Sequence, residues 1–130
     1  MNKSTILAGF NNHLNDFFND VVTIFPDNLD IKVAHTSLTT MRKANPRLII
    51  AIWREHIVDK YENEIKNGNI DFFLNKNYND DVKSADNANK ILEKINLLKE
   101  PIKNMGEDNL NKTIEYIQNL SKLCLLYHQN

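Results

Sequence analysis

Residues 45–68 read Asn45-Pro46-Arg47-Leu48-Ile49-Ile50-Ala51-Ile52-Trp53-Arg54-Glu55-His56-Ile57-Val58-Asp59-Lys60-Tyr61-Glu62-Asn63-Glu64-Ile65-Lys66-Asn67-Gly68, and this stretch sets the architecture. Asn45 followed by Pro46 is a helix start, an N-cap residue and then proline at the first helical position. Gly68 is placed to end the same helix. The pattern predicts a helix over 46–67. Its first half, Leu48 to Trp53, is apolar at every position, and a helix apolar on every side must be enclosed by others. Its second half is amphipathic, with Ile57, Val58, Tyr61 and Ile65 on one side. This helix is expected at the centre of the molecule.

Upstream, Leu7, Phe10, Leu14, Phe17, Phe18, Val21, Ile24 and Phe25 recur at three- and four-residue spacing and predict an amphipathic helix from about Thr5 to Phe25. Pro26 disfavours a helical Phe25 and ends it. A second helix is expected over 30–44, capped by Asp27 or Asp30, with Val33, Ala34, Ser37, Leu38 and Met41 inward. Downstream, Ile70–Leu74 reads as a short apolar plug. Residues 75–89 are polar and read as a mobile loop, with Ser84 or Asp86 capping the next helix. That helix carries Ala88, Ile91, Leu92, Ile95 and Leu98. Pro101 is expected to kink or break it, with Ile102 and Met105 continuing its apolar side and Gly106 ending it. The last helix is expected from Asp108 and carries Leu110, Ile114, Ile117, Leu120, Cys124 and Tyr127 on a face wider than one neighbour covers.

The chain is therefore expected to be all-α, a single domain over 1–130 built as a bundle of about five helices around the helix at 46–67. Three glycines and three prolines are too few turn residues for an all-β fold. At 130 residues the chain can bury roughly 70% of its unfolded surface in one core. Hydrophobic residues at 42% and charged residues at 25% are ordinary for a folded domain and argue against disorder. No run approaches a membrane span, and Met1–Phe10 has no apolar stretch of signal-peptide length. One cysteine, Cys124, excludes an internal disulfide framework, and the expected location is intracellular.

Chemistry is sparse. No Gly-x-Ser-x-Gly, Walker loop or paired-carboxylate motif is present, Cys124 falls on an apolar face, and no catalytic residue, cofactor or metal is assigned. His56, Asp59 and Asn63 share a helix face, a spacing that arises by chance on any polar face. Activity is expected to be non-enzymatic.

The arginines stand out. There are 21 asparagines, 14 isoleucines and 13 lysines, a composition drawn from A/T-rich codons, yet all three arginines lie at 42, 47 and 54. Residues 41–60 hold five basic and two acidic groups in a chain whose net charge is −1. An arginine that persists against drift toward lysine points to a need for its planar five-donor fork. Arg42 and Lys43 complement the negative end of the second helix. Arg47, in the first turn of the third, needs an anion to offset the positive end. Arg54 shares a side with Ile50, Val58 and Tyr61, so it is expected to pair with a carboxylate, with Asp16, Asp20 and Asp71 as candidates. Arg42, Lys43, Asn45, Arg47 and Arg54 thus form a basic corner expected to contact an acidic protein partner. The alternative is a nucleic-acid-binding accessory factor using the same corner on phosphates, against which stand the near-neutral charge and the lack of a basic helix.

Four strings carry a resemblance: Ile24-Phe25-Pro26-x-x-x-Asp30-Ile31, Arg42-Lys43-Ala44-Asn45-Pro46-Arg47, Gly68-Asn69-Ile70-Asp71-Phe72-Phe73-Leu74-Asn75-Lys76, and Tyr116-Ile117-Gln118-Asn119-Leu120-Ser121-Lys122-Leu123. The chain from about Phe10 onward resembles a family of small helical proteins from large DNA viruses of algae and protists. The resemblance implies a viral origin, a host-cytoplasmic or virion location, and a virion-associated structural, replication-factory or host-factor-binding role. It brings no activity, cofactor or catalytic residue.

Overall fold

In the computed structural model, residues 2–69, 71 and 86–129 are described, with residues 86–90 described as helical backbone only. The protein is an all-α bundle, and no strand occurs among the described residues. The expected plug at 70–74, save Asp71, and the loop at 75–85 lie outside them.

Helix α1 spans Lys3–Ile24, where Asn2 caps it by accepting the Thr5 amide at 2.8 Å. Its buried stripe is Ile6, Phe10, Leu14, Phe17, Phe18 and Val21, with Asn11 among them. Ile6 takes the fully buried place expected of Leu7, which is half-buried, as are Ile24 and Phe25. Helix α2 spans Leu29–Ala44. Its cap is Asn28, whose Oδ1 accepts the Ile31 amide at 3.1 Å, and neither Asp27 nor Asp30 takes that role. Val33, expected inward, is 53% exposed, and Ile31 is buried in its place beside Ala34 and Leu38. The helix starts at Leu29, and Ile31, Ala34 and Leu38 share one side at three- and four-residue spacing.

The corner after α2 differs from the Asn45-Pro46 reading. Asn45 ends α2, with its amide bonded to Met41 O at 2.9 Å. Its side chain accepts the Arg47 amide at 3.2 Å, and Leu48 is the first residue of α3 (Leu48–Trp53). An amide already committed to the preceding helix leaves Asn45 to make the turn, so Pro46 sits in that turn and not at the first helical position. Asn11 clamps the turn from α1, donating to Pro46 O at 2.9 Å.

Helix α3 packs against α1, α2, α5 (Asp86–Asn96) and α7 (Glu107–Gln129), so the central place expected for it is observed. Ile49, Ile50, Ile52 and Trp53 are buried, while Ala51 faces outward. The helix then widens into a π-helical turn, Arg54–Val58, before α4, Asp59–Lys66. The Asp59 amide bonds Arg54 O, five residues back. The extra residue changes the phase of the rod, and the successive His56, Ile57 and Val58 are all buried, which an ordinary helix would spread over half its circumference. Tyr61 leaves helical geometry at φ −130°, ψ 25°. Gly68 closes α4 at φ +72°, its amide on Ile65 O at 3.1 Å and the Asn69 amide on Glu64 O at 2.9 Å, the two bonds of a Schellman motif.

Helix α5 includes residues 86–89, which the sequence reading gave to the loop. It ends at Asn96, and α6 (Lys99–Lys103) follows. The break falls at residues 97–98 and not at Pro101 itself. Proline offers no amide to the carbonyl of Leu97 and its ring clashes there, so the chain bends four residues earlier and restarts with the Ile102 amide on Leu98 O at 3.0 Å. Leu97 is partly buried against the core. Helix α7 runs antiparallel to α1, with Tyr127 at Lys3, Leu123 at Gly9 and Tyr116 at Phe17. It also packs on the π-helical turn and α4, which accounts for its wide apolar face.

Candidate partner-binding surface

The five residues of the basic corner go to different places. Arg42, in the last turn of α2, is half-buried and points to α1, donating to Asn12 Oδ1 at 2.8 Å and Asn11 O at 3.5 Å. It joins two helices. Lys43 is exposed at the same helix end. Asn45 forms the turn. Arg47, exposed at the residue flanking α3, lines a pocket of about 170 Å³ with Lys3, Ser4, Leu7 and Tyr127. Lys3 Nζ lies 4.7 Å over the Tyr127 ring. Two cations therefore meet at this pocket, and no carboxylate lines it among the described residues.

Arg54 pairs with Asp59 at 2.7 Å, and not with Asp16, Asp20 or Asp71. The hydrogen bond to Asp59, with its charge, holds the guanidinium pKa above its ordinary value. The two side chains are 35% and 53% exposed, so the pair stands in solvent. The π-helical turn explains the partner, because the added residue sets Arg54 and Asp59, five apart, on one side. Arg54→Ala is expected to lower unfolding free energy by no more than about 0.2–1 kcal/mol in urea denaturation, the worth of an exposed ion pair.

Asp59 is thereby engaged, and among the described residues no three His, Cys, Asp or Glu side chains come together as metal ligands. Cys124 is buried, its thiol directed at Ile50 O at 3.4 Å, and burial pushes its pKa up to about 12. Its Sγ also lies 3.7 Å from His128 Nδ1, and its burial gives it the character of a core thiol.

Two crevices were not legible in the sequence. One follows the α1–α7 seam, lined by His13, Asp16, Asp20, Lys112, Glu115, Tyr116 and Asn119, with a volume of about 370 Å³. The Tyr116 hydroxyl donates to Asp20 Oδ2 at 2.5 Å, and its ring lies on Phe17 and His13 at 5.1 and 4.8 Å between centroids. Burial, then the bond to Asp20, pushes the phenol pKa up to about 12. The other is a groove of about 360 Å³ between α4 and α7, lined by Val58, Glu62, Ile65, Lys66, Gln118, Ser121, Lys122 and Leu125. No spacing rule pairs residues this far apart in the chain, and only the antiparallel docking of α7 reveals either crevice.

Among the described residues no helix is long and apolar enough to cross a membrane. The chain matches no known family model, no curated protein and no solved structure.

Proposed function

We propose that the chain is a non-enzymatic helical interaction protein that meets an acidic partner protein through the exposed part of its basic corner. The observation that carries this is the pocket that Arg47 and Lys3 both line, with no carboxylate among its described lining residues. Lys43 adds a third exposed cation at the α2–α3 corner. Complementary charge of this kind steers encounter and selects the partner. Arg42 and Arg54 are already committed within the chain, to Asn12 and Asp59. The resemblance noted above would place this contact inside the cell, in host cytoplasm or virion.

The test is affinity capture from the native cell with the wild-type chain and with Lys43→Ala/Arg47→Ala. Arg42 is left intact, because its loss would loosen α1 from α2. A protein whose recovery falls with the double variant and with added salt supports the reading. Recovery of the same proteins by both chains defeats it. Salt-dependent binding of a purified DNA or RNA duplex, weakened uniformly across sequences by the double variant, would favour nucleic acid as the partner.

A further inference from the structure

The groove between α4 and α7 serves no role in the basic corner. Val58, Ile65 and Leu125 form its apolar floor, and Lys66 and Lys122 stand at its rim with Glu62. Local structure builds it. The π-helical turn and the non-helical Tyr61 interrupt regular α-helical geometry between α3 and the end of α4, the stretch that supplies Val58, Glu62 and Ile65 to the groove. One end is tied where Gln118 Nε2 donates to Ile65 O at 3.0 Å. That hydrogen bond and the local backbone geometry hold the two walls of the opening in place.

Its chemistry names an occupant. Lys66 lies 3.4 Å from Glu62 and is matched by it, whereas Lys122 has no carboxylate within ion-pair distance among the described residues. Among the described residues the rim thus carries Lys66 matched by Glu62 and the further positive charge of Lys122 above an apolar floor. Leu126, four residues beyond Lys122 on the same face of α7, is 44% exposed and continues the apolar surface past the rim. We propose that this groove receives an acidic amphipathic helix of a partner protein. Its apolar residues fill the floor, and a carboxylate one turn away meets Lys122. A nucleic acid would leave the apolar floor unused, and a basic segment would set its charge against Lys122. The proposal rests on the reading of the chain as an interaction protein, yet it uses a different surface from Arg47.

The experiment is a titration of the full-length, isotope-labelled protein with two synthetic helical peptides, one built of Leu, Ala and Glu and its counterpart with every Glu replaced by Lys. The Leu/Glu peptide is expected to shift the methyl resonances of Val58, Ile65 and Leu125. Lys122→Glu is expected to weaken that binding at least about tenfold, the scale of a reversed charge contact, and Leu125→Ala to weaken it as well. Both residues lie at least partly exposed, and circular dichroism of the variants checks that they fold. Lys43→Ala/Arg47→Ala should leave peptide binding unchanged, so the groove and the basic corner fail separately. Absence of these methyl shifts, equal binding of the Lys counterpart, or indifference to Lys122→Glu would each overturn the proposal.

Discussion

Phe10→Ala is expected to lower the unfolding free energy by about 3–5 kcal/mol, the cost of deleting a fully buried aromatic side chain and leaving a cavity. Phe10 has no exposed surface and meets the Trp53 ring edge-on, with centroids 5.9 Å apart and planes at 74°. It stands where α1 meets the central rod, so the cavity cannot close without moving one helix toward the other. Domains of this size are stable by about 5–15 kcal/mol, and the variant would lose about a fifth or more of that. Urea denaturation followed by Trp53 fluorescence checks it, since Trp53 is the chain's one tryptophan. A loss under about 1 kcal/mol would mean that α1 and α3 do not pack as described. Phe10→Leu, which keeps most of the volume, should cost clearly less.

The all-α bundle and its central helix were legible because hydrophobic periodicity records which side of a helix is buried. Leu48–Trp53 could only be enclosed, and it touches four other helices. What escaped the reading were local events in which the backbone departs from ideal geometry. Asn45 has the chemistry of an N-cap, yet its amide belongs to α2, and only the three-dimensional turn settles which helix claims it. A π-helical turn has no sequence signature here, but it decides that Arg54 reaches Asp59 and that three consecutive residues are buried.

The candidate site was partly legible for the same reason. Clustering of Arg42, Arg47 and Arg54 in sequence is a property of composition, whereas a surface needs convergence. Arg42 and Arg54 found acceptors within the chain, and Arg47 converges instead with Lys3, from the opposite end of α1. A cation forty-four positions away cannot be recognised from spacing. The groove beside α7 is less legible still, because its two walls belong to helices whose apolar residues read as ordinary core.

Ser121→Ala should cost about 1–3 kcal/mol, more than a surface serine warrants, because it strands a buried donor. The Trp53 indole N–H donates to Ser121 Oγ at 3.2 Å, and both residues are buried. With the hydroxyl gone, the buried indole N–H loses its acceptor, and its desolvation penalty is felt. Trp53→Phe removes the donor as well as some packing, while the Ser121 hydroxyl can turn to a carbonyl of its own helix. The double variant should therefore be less destabilised than the two single costs added, with a coupling of about 0.5–3 kcal/mol for residues in direct contact. Additive costs would show that the indole has another acceptor. Since Ser121 also borders the groove, its loss should weaken the seam between α3 and α7 without changing the charge at the rim. Peptide binding in the groove should then fall less for Ser121→Ala than for Lys122→Glu.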